Sequence, residues 1–156
     1  VHDTVVKASS DELPSFLNYR RQVESHSNLN TPPVFAIYVV LLVTRWLLND
    51  VGGLENMEQT NRHKAELLYA MLDNSDGFYN GWSSKADRSQ MNVAFKLPDV
   101  DLEKKFLAES HEAGFSGLAG HRAIGGIRAS IYNALSLPAA EKLTNFMDDF
   151  MRKNRK

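Results

Sequence analysis

Two arginines and a histidine surround a glycine pair in the run Gly120-His121-Arg122-Ala123-Ile124-Gly125-Gly126-Ile127-Arg128. Guanidinium forks match the oxygen geometry of carboxylates and phosphates, and glycine lets backbone approach a ligand or take angles that other residues resist. The combination suits a small dianion. Arg128 also opens a strand-like stretch reaching Asn133, in which alternation puts Arg128, Ser130 and Tyr132 on one face and Ala129, Ile131 and Asn133 on the other. An arginine fixed on a strand positions a ligand better than one on a loose loop. On spacing alone a plainer reading competes, in which His121, Arg122 and Arg128 are ordinary surface cations beside a Gly-Gly turn.

Other residue types offer less. The histidines at 2, 26, 63, 111 and 121 show no paired metal-ligand spacing, so no metal site is expected. The absence of cysteine excludes disulfides, thiolate metal sites and a cysteine nucleophile, and it suits a reducing, cytoplasmic location. His63 and His111 fall on polar helix faces, Glu55, Glu58 and Glu66 form a solvated face, and Ser130 has no activating base nearby in sequence. Trp46, Trp82, Tyr69 and Tyr79 read as core or interface aromatics.

The elements that must carry these groups follow from periodicity. Residues 1–30 are irregular and polar, mostly extended chain with a short turn of helix. Thr31-Pro32-Pro33 signals a helix start, with Thr31 as the capping hydroxyl, and that helix runs to about Asn49. Gly52-Gly53 ends it; Leu54, Met57, Asn61, Ala65, Leu68 and Leu72 then recur at amphipathic-helix spacing. Residues 80–88 read as a loop, 91–97 as a strand, 101–113 as a helix with Leu102, Phe106 and Leu107 inward, and 115–119 as a short strand. A strand over 127–133 and a last helix opened by Leu137-Pro138 complete the chain. Helices flanking a small sheet make an α/β (α+β) domain.

Bulk properties narrow the function further. With 156 residues, 43% hydrophobic and 24% charged, the chain has the composition of an ordinary globular domain. A net charge of -1 argues against nucleic-acid binding, and the basic run 152–156 reads as cations at a helix C-terminus. The apolar run 34–43 is about ten residues, half of what spans a bilayer, so no membrane partner is expected and the segment reads as a buried helix. No apolar leader is visible, and the valine at position 1 suggests a processed, truncated or engineered piece of something longer.

Three blocks, in order, are specific: Asn30-Thr31-Pro32-Pro33, then Arg88-Ser89-x-Met91-Asn92-Val93, then the glycine-rich run continuing through Arg128-Ala129-Ser130-Ile131-Tyr132-Asn133. Together they resemble the C-terminal part of the phosphoserine aminotransferase family, class-V enzymes of fold type I that use pyridoxal phosphate. The resemblance covers nearly the whole chain and is clearest from about Leu17. It implies the small C-terminal domain of such an enzyme, with a small mixed or antiparallel sheet flanked by helices over 33–156. A leading interface helix opens that domain, and residues 1–32 are left from the end of the large domain.

The resemblance also implies a reaction and roles. An amino group would pass from glutamate to 3-phosphohydroxypyruvate, giving 2-oxoglutarate and phosphoserine, in serine biosynthesis. Arg128 would hold the substrate α-carboxylate, His121 and Arg122 the distal phosphate or carboxylate, and Asn30 and Thr31 the cofactor phosphate of the other subunit of a homodimer. The lysine that carries pyridoxal phosphate is expected upstream of Val1, since Lys7, Lys64, Lys85, Lys96 and Lys142 lack its context. No catalytic residue is therefore expected in this chain, which alone should transfer no amino group. A non-catalytic anion-binding or interaction module is the alternative.

Overall fold

The computed structural model describes residues 1–155, and two compact units emerge, Val1–Asp50 and Val51–Lys156. In the first, α1 (Asp3–Ala8) and α2 (Tyr19–Glu24) replace the irregular chain expected there. Arg20 explains why two six-residue helices persist. Its guanidinium donates to the carbonyls of Lys7 at 3.2 Å and Ser9 at 2.8 Å and pairs with Asp11 at 2.6 Å, satisfying the end of α1 from within α2. Asn18 caps α2 through its side-chain oxygen. Such long-range side-chain support leaves no periodic trace in a sequence.

Helix α3 (Val34–Asn49) starts one residue after the predicted point and ends where expected. Two expectations fail on it. Pro33 occupies the cap position and no side chain caps the helix, so Thr31 is not the capping hydroxyl. Nor is α3 buried: none of its residues is, although Val34, Phe35, Ile37, Tyr38 and Val40 lie within its first two turns. Apolar residues occur all round this helix, so a single contact face could not cover them.

The second unit begins with α4 (Leu54–Asp73), whose turn from α3 uses Gly52 and Gly53 at φ of 84° and 108°. The predicted stripe is buried from Met57 to Leu72, but Leu54 is 69% exposed. A two-residue strand β1 (Asn80–Gly81) and a short 3-10 turn at Lys85–Asp87 occupy the predicted loop. Next come β2 (Asn92–Lys96) and α5 (Val100–Glu112), which Asp99 caps at 2.7 Å. Residues 115–118 are not strand; β3 is Ala119–His121, forming a hairpin with β4 (Gly125–Ser130). Helix α6 (Leu137–Asn154) is capped by Ser136. Of the basic run, Arg152 pairs with Asp148 at 2.6 Å and Arg155 with Asp76 at 2.7 Å, while Lys156 lies outside the described residues.

The sheet is antiparallel in the order β1-β2-β4-β3. Alternation along β2 and β4 buries Val93, Phe95, Ile127 and Ala129 against Leu68 and Leu72 of α4, Phe106 of α5 and Leu143, Met147 and Phe150 of α6. Phe106 sits at the centre, 5.0 Å from Phe150 and 6.0 Å from Phe95 between ring centroids, with edge-on packing to both. Tyr79 joins this core. Its hydroxyl donates to the Met147 carbonyl at 2.8 Å, and burial, with Asp148 nearby, raises its pKa far above the ordinary phenol value. Opposite the core-facing side chains, the other sheet face carries Asn92, Ala94 and Arg128.

Candidate functional site

His121, Arg122 and Arg128 lie on one hairpin. His121 closes β3 and pairs with Gly125; Arg122 stands in the exposed turn; Arg128 lies half-buried in β4 opposite Ala94. About three strand residues, roughly 10 Å, separate Gly125 from Arg128, and Gly125 and Gly126, both at positive φ, interrupt the pleat between them. No hydrogen bond or ion pair joins His121, Arg122 and Arg128 to one another, nor to any carboxylate, among the described residues. Each is therefore free to donate outward.

Local chemistry sharpens two of them. The Ala123 N–H donates to His121 Nδ1 at 3.2 Å, so in that tautomer the ring proton sits on Nε2 and points away from the turn. Arg128 keeps its Nε buried without a partner. A buried guanidinium N–H left unpaired is destabilising unless a ligand completes it, which fits a carboxylate.

The hairpin is shaped by glycine where nothing else fits. A Cβ at Gly120 would collide with the carbonyl oxygen of Gly125, and one at Gly126, where φ is 71°, would lie 2.7 Å from the Phe95 carbonyl oxygen. Strand β4 can approach β3 at Gly120, and β2 at Gly126, only because these side chains are absent.

Beside Arg128, the predicted face is present although β4 ends at Ser130. Ser130 and Tyr132 both donate to the Asn92 side-chain oxygen, at 3.1 and 3.3 Å. Asn133, on the opposite side, accepts from Asn61 at 2.8 Å.

Asn30 and Thr31 belong to the first unit, exposed just before α3 and without side-chain hydrogen bonds among the described residues. Their amide and hydroxyl protons are free, and the uncapped first turn of α3 follows them, a donor set that suits phosphate oxygens.

Sequence reasoning missed three participants. Lys64 is fully buried, and its ammonium donates to the carbonyls of Ile131, Tyr132 and Leu135 at 3.1, 2.9 and 3.0 Å; burial lowers its pKa. It fastens the chain leaving β4 to α4. Arg88 grips Asp73 and lies 4.4 Å over the Tyr69 ring, while Tyr69 donates to the Ser89 carbonyl at 3.0 Å. Burial raises the Tyr69 pKa, and the Asp73 bond raises that of Arg88. The third is Asn92. Arg88 and Asn92 stood inside a singled-out motif, which was a signal without a role. Lys64, at an inward helical position three residues after Asn61, was legible as buried.

The class-V aminotransferase family matches residues 6–143, nearly the whole chain and all three blocks. The chain belongs to the class-V aminotransferase family. It is 51% identical over 143 residues to the phosphoserine aminotransferase of Geobacillus kaustophilus, covering 92% of this chain and 39% of that protein. With that of Syntrophobacter fumaroxidans it shares 49% over 154 residues, covering 99% and 42%. Among solved structures, phosphoserine aminotransferase from Bacillus circulans subsp. alkalophilus superposes with a TM-score of 0.86 at 45% identity, over 98% of this chain and 42% of that one. The pyridoxal-phosphate-bound enzyme of Trichomonas vaginalis does so at 0.77 and 33%, over 89% and 39%. This class-V chain thus spans about two-fifths of the length of the relatives it matches, and its sheet and helices match the C-terminal part of those enzymes.

Proposed function

We propose that this chain is the C-terminal portion of a phosphoserine aminotransferase, which moves an amino group from glutamate to 3-phosphohydroxypyruvate in serine biosynthesis. The observation that carries the reading is Arg128, a strand-held guanidinium with a buried, unpaired Nε on the sheet face opposite the core, inside a chain about half identical to enzymes of that name. Both substrates have an α-carboxylate and an anionic tail. Arg128 holds the first, fixing Cα in the orientation for attack, and His121 and Arg122 hold the second. Glutamate and phosphohydroxypyruvate use the same cations because carboxylate and phosphate oxygens present similar acceptors to a fork.

Pyridoxal phosphate, when bound, supplies the electron sink for the amino-group transfer. Asn30 and Thr31 are the residues of this chain that would donate to its phosphate, in a homodimer from the other subunit. Lys64 does not suit its covalent attachment, since it is enclosed and its ammonium is engaged by three carbonyls. The cofactor-bearing lysine belongs to the remainder of the longer protein, and the enzyme works in the cytoplasm.

Amino transfer from glutamate to 3-phosphohydroxypyruvate by the full-length protein tests this reading. Arg128→Gln is expected to raise KM for both substrates about a hundredfold, since it removes a charged two-point contact. An unchanged KM would refute Arg128 as the carboxylate fork. The 156-residue chain alone should bind phosphoserine only at millimolar concentration; micromolar affinity would favour an anion-binding module instead.

A further inference from the structure

Asn92 lies one ladder step from Arg128 on the same sheet face: Asn92 pairs with Ser130, and Ala94 pairs with Arg128. Diagonal neighbours in such a ladder are about 7–8 Å apart, a distance that one small molecule bridges when both side chains reach toward it. Directly opposite Arg128, Ala94 contributes only a methyl group, so β2 places no bulk there. The hydroxyls of Ser130 and Tyr132 converge on the Asn92 Oδ1 at 3.1 and 3.3 Å. With both hydroxyls donating to that oxygen, both protons on Nδ2 are left without a partner among the described residues.

We infer that Asn92 is a second holder of the substrate α-carboxylate, donating from Nδ2 beside the Arg128 fork, with Ser130 and Tyr132 setting the angle of its amide. A carboxylate offers about four lone-pair directions, and a guanidinium fork fills two. Asn92 supplies a neutral donor for one of the others, which adds direction without another charge to desolvate. The inference rests on the assignment of Arg128 to that carboxylate.

Steady-state kinetics of the full-length protein separate the two. Asn92→Asp keeps the shape and the acceptor for both hydroxyls, but replaces the donor with an anionic oxygen. KM for glutamate is expected to rise at least about tenfold, while inhibition by isoglutamine, whose α-carboxylate is an amide, changes less than about threefold. Because the new carboxylate would also face Arg128, Ser130→Ala with Tyr132→Phe is the control: it keeps the Asn92 donor and removes what Asn92 would hold, so a glutamate KM within about threefold of wild type is expected, and a rise as large as that of N92D would mean that Asn92 serves only to hold the two hydroxyls. An unchanged glutamate KM in N92D, beside a raised one in R128Q, overturns the Asn92 assignment alone; an unchanged KM in R128Q overturns both. Should N92D not accumulate as folded protein, Asn92→Ala gives the same decision, with a tenfold rise expected and no rise refuting.

Discussion

Arg88 and Asp73 meet in a two-point fork, Nη1 to Oδ2 at 2.9 Å and Nη2 to Oδ1 at 2.6 Å, joining the last residue of α4 to the segment that enters β2. Lys85 adds a contact at 3.3 Å. The Arg88 hydrogen bonds, helped by Lys85, hold the Asp73 carboxyl at a pKa of about 2. An unfolded aspartate titrates near about 3.9, so the folded state keeps the charge more tightly. The contribution is complete above that unfolded value and disappears as pH falls through it toward 2. Urea midpoints at pH 7 and pH 3 should therefore converge between wild type and Asp73→Asn as the solution is acidified. A difference that persists undiminished at pH 2 would contradict the fork as its source.

How much of this was legible depends on the range over which each signal acts. Helices α4, α5 and α6 and strands β2 and β4 follow from apolar periodicity and local caps, because burial on one face writes itself into spacing. The dianion cluster was legible because its residues adjoin in sequence. The β3 strand was placed a few residues early because its pairing is set by the glycine contact between Gly120 and Gly125, not by apolar alternation. Helices α1 and α2 escaped for the reason Arg20 shows: their support comes from a guanidinium 11 to 13 residues away. The donors on Asn92 come from residues 38 and 40 positions further on, beyond any local pattern.

Gly120→Ala and Gly126→Ala test the close strand approach. At Gly120 the added methyl meets the Gly125 carbonyl, which is backbone and cannot swing aside; at Gly126 it adds a left-handed backbone angle to a contact with the Phe95 carbonyl. Each substitution is expected to lower stability by about 2–4 kcal/mol, with G120A the more severe. Chemical denaturation checks the order. A G120A protein as stable as wild type would mean that the hairpin pairs differently.

Lys64 separates structural from chemical lysines. Truncation to alanine strands one buried and two part-buried carbonyls, an unpaired buried one costing about 1–3 kcal/mol, and leaves a cavity in place of the stem, so Lys64→Ala should unfold the chain or weaken it by more than about 3 kcal/mol. The same enclosure makes Lys64 a poor amine nucleophile. Borohydride reduction of the 156-residue chain with pyridoxal phosphate, followed by peptide mass analysis, should label no single lysine stoichiometrically. Stoichiometric labelling at one position, accompanied by amino transfer, would overturn the expectation that this chain lacks the cofactor-bearing residue.

Helix α3 sets the solution behaviour of the isolated chain. Phe35 is 80% exposed and Val40 62% exposed, and no residue on any side of the helix is buried. Exposed apolar surface of that kind associates, since its removal from water stabilises by roughly 25 cal/mol per Å². Sedimentation of the 156-residue chain should therefore show a mass that rises with concentration. Phe35→Glu with Val40→Glu should weaken the rise and leave the unfolding transition of the sheet unit in place, because neither residue belongs to its core. A strictly monomeric wild type over the same range would show that this face is not adhesive. Association that survives the double substitution undiminished would move the contact elsewhere.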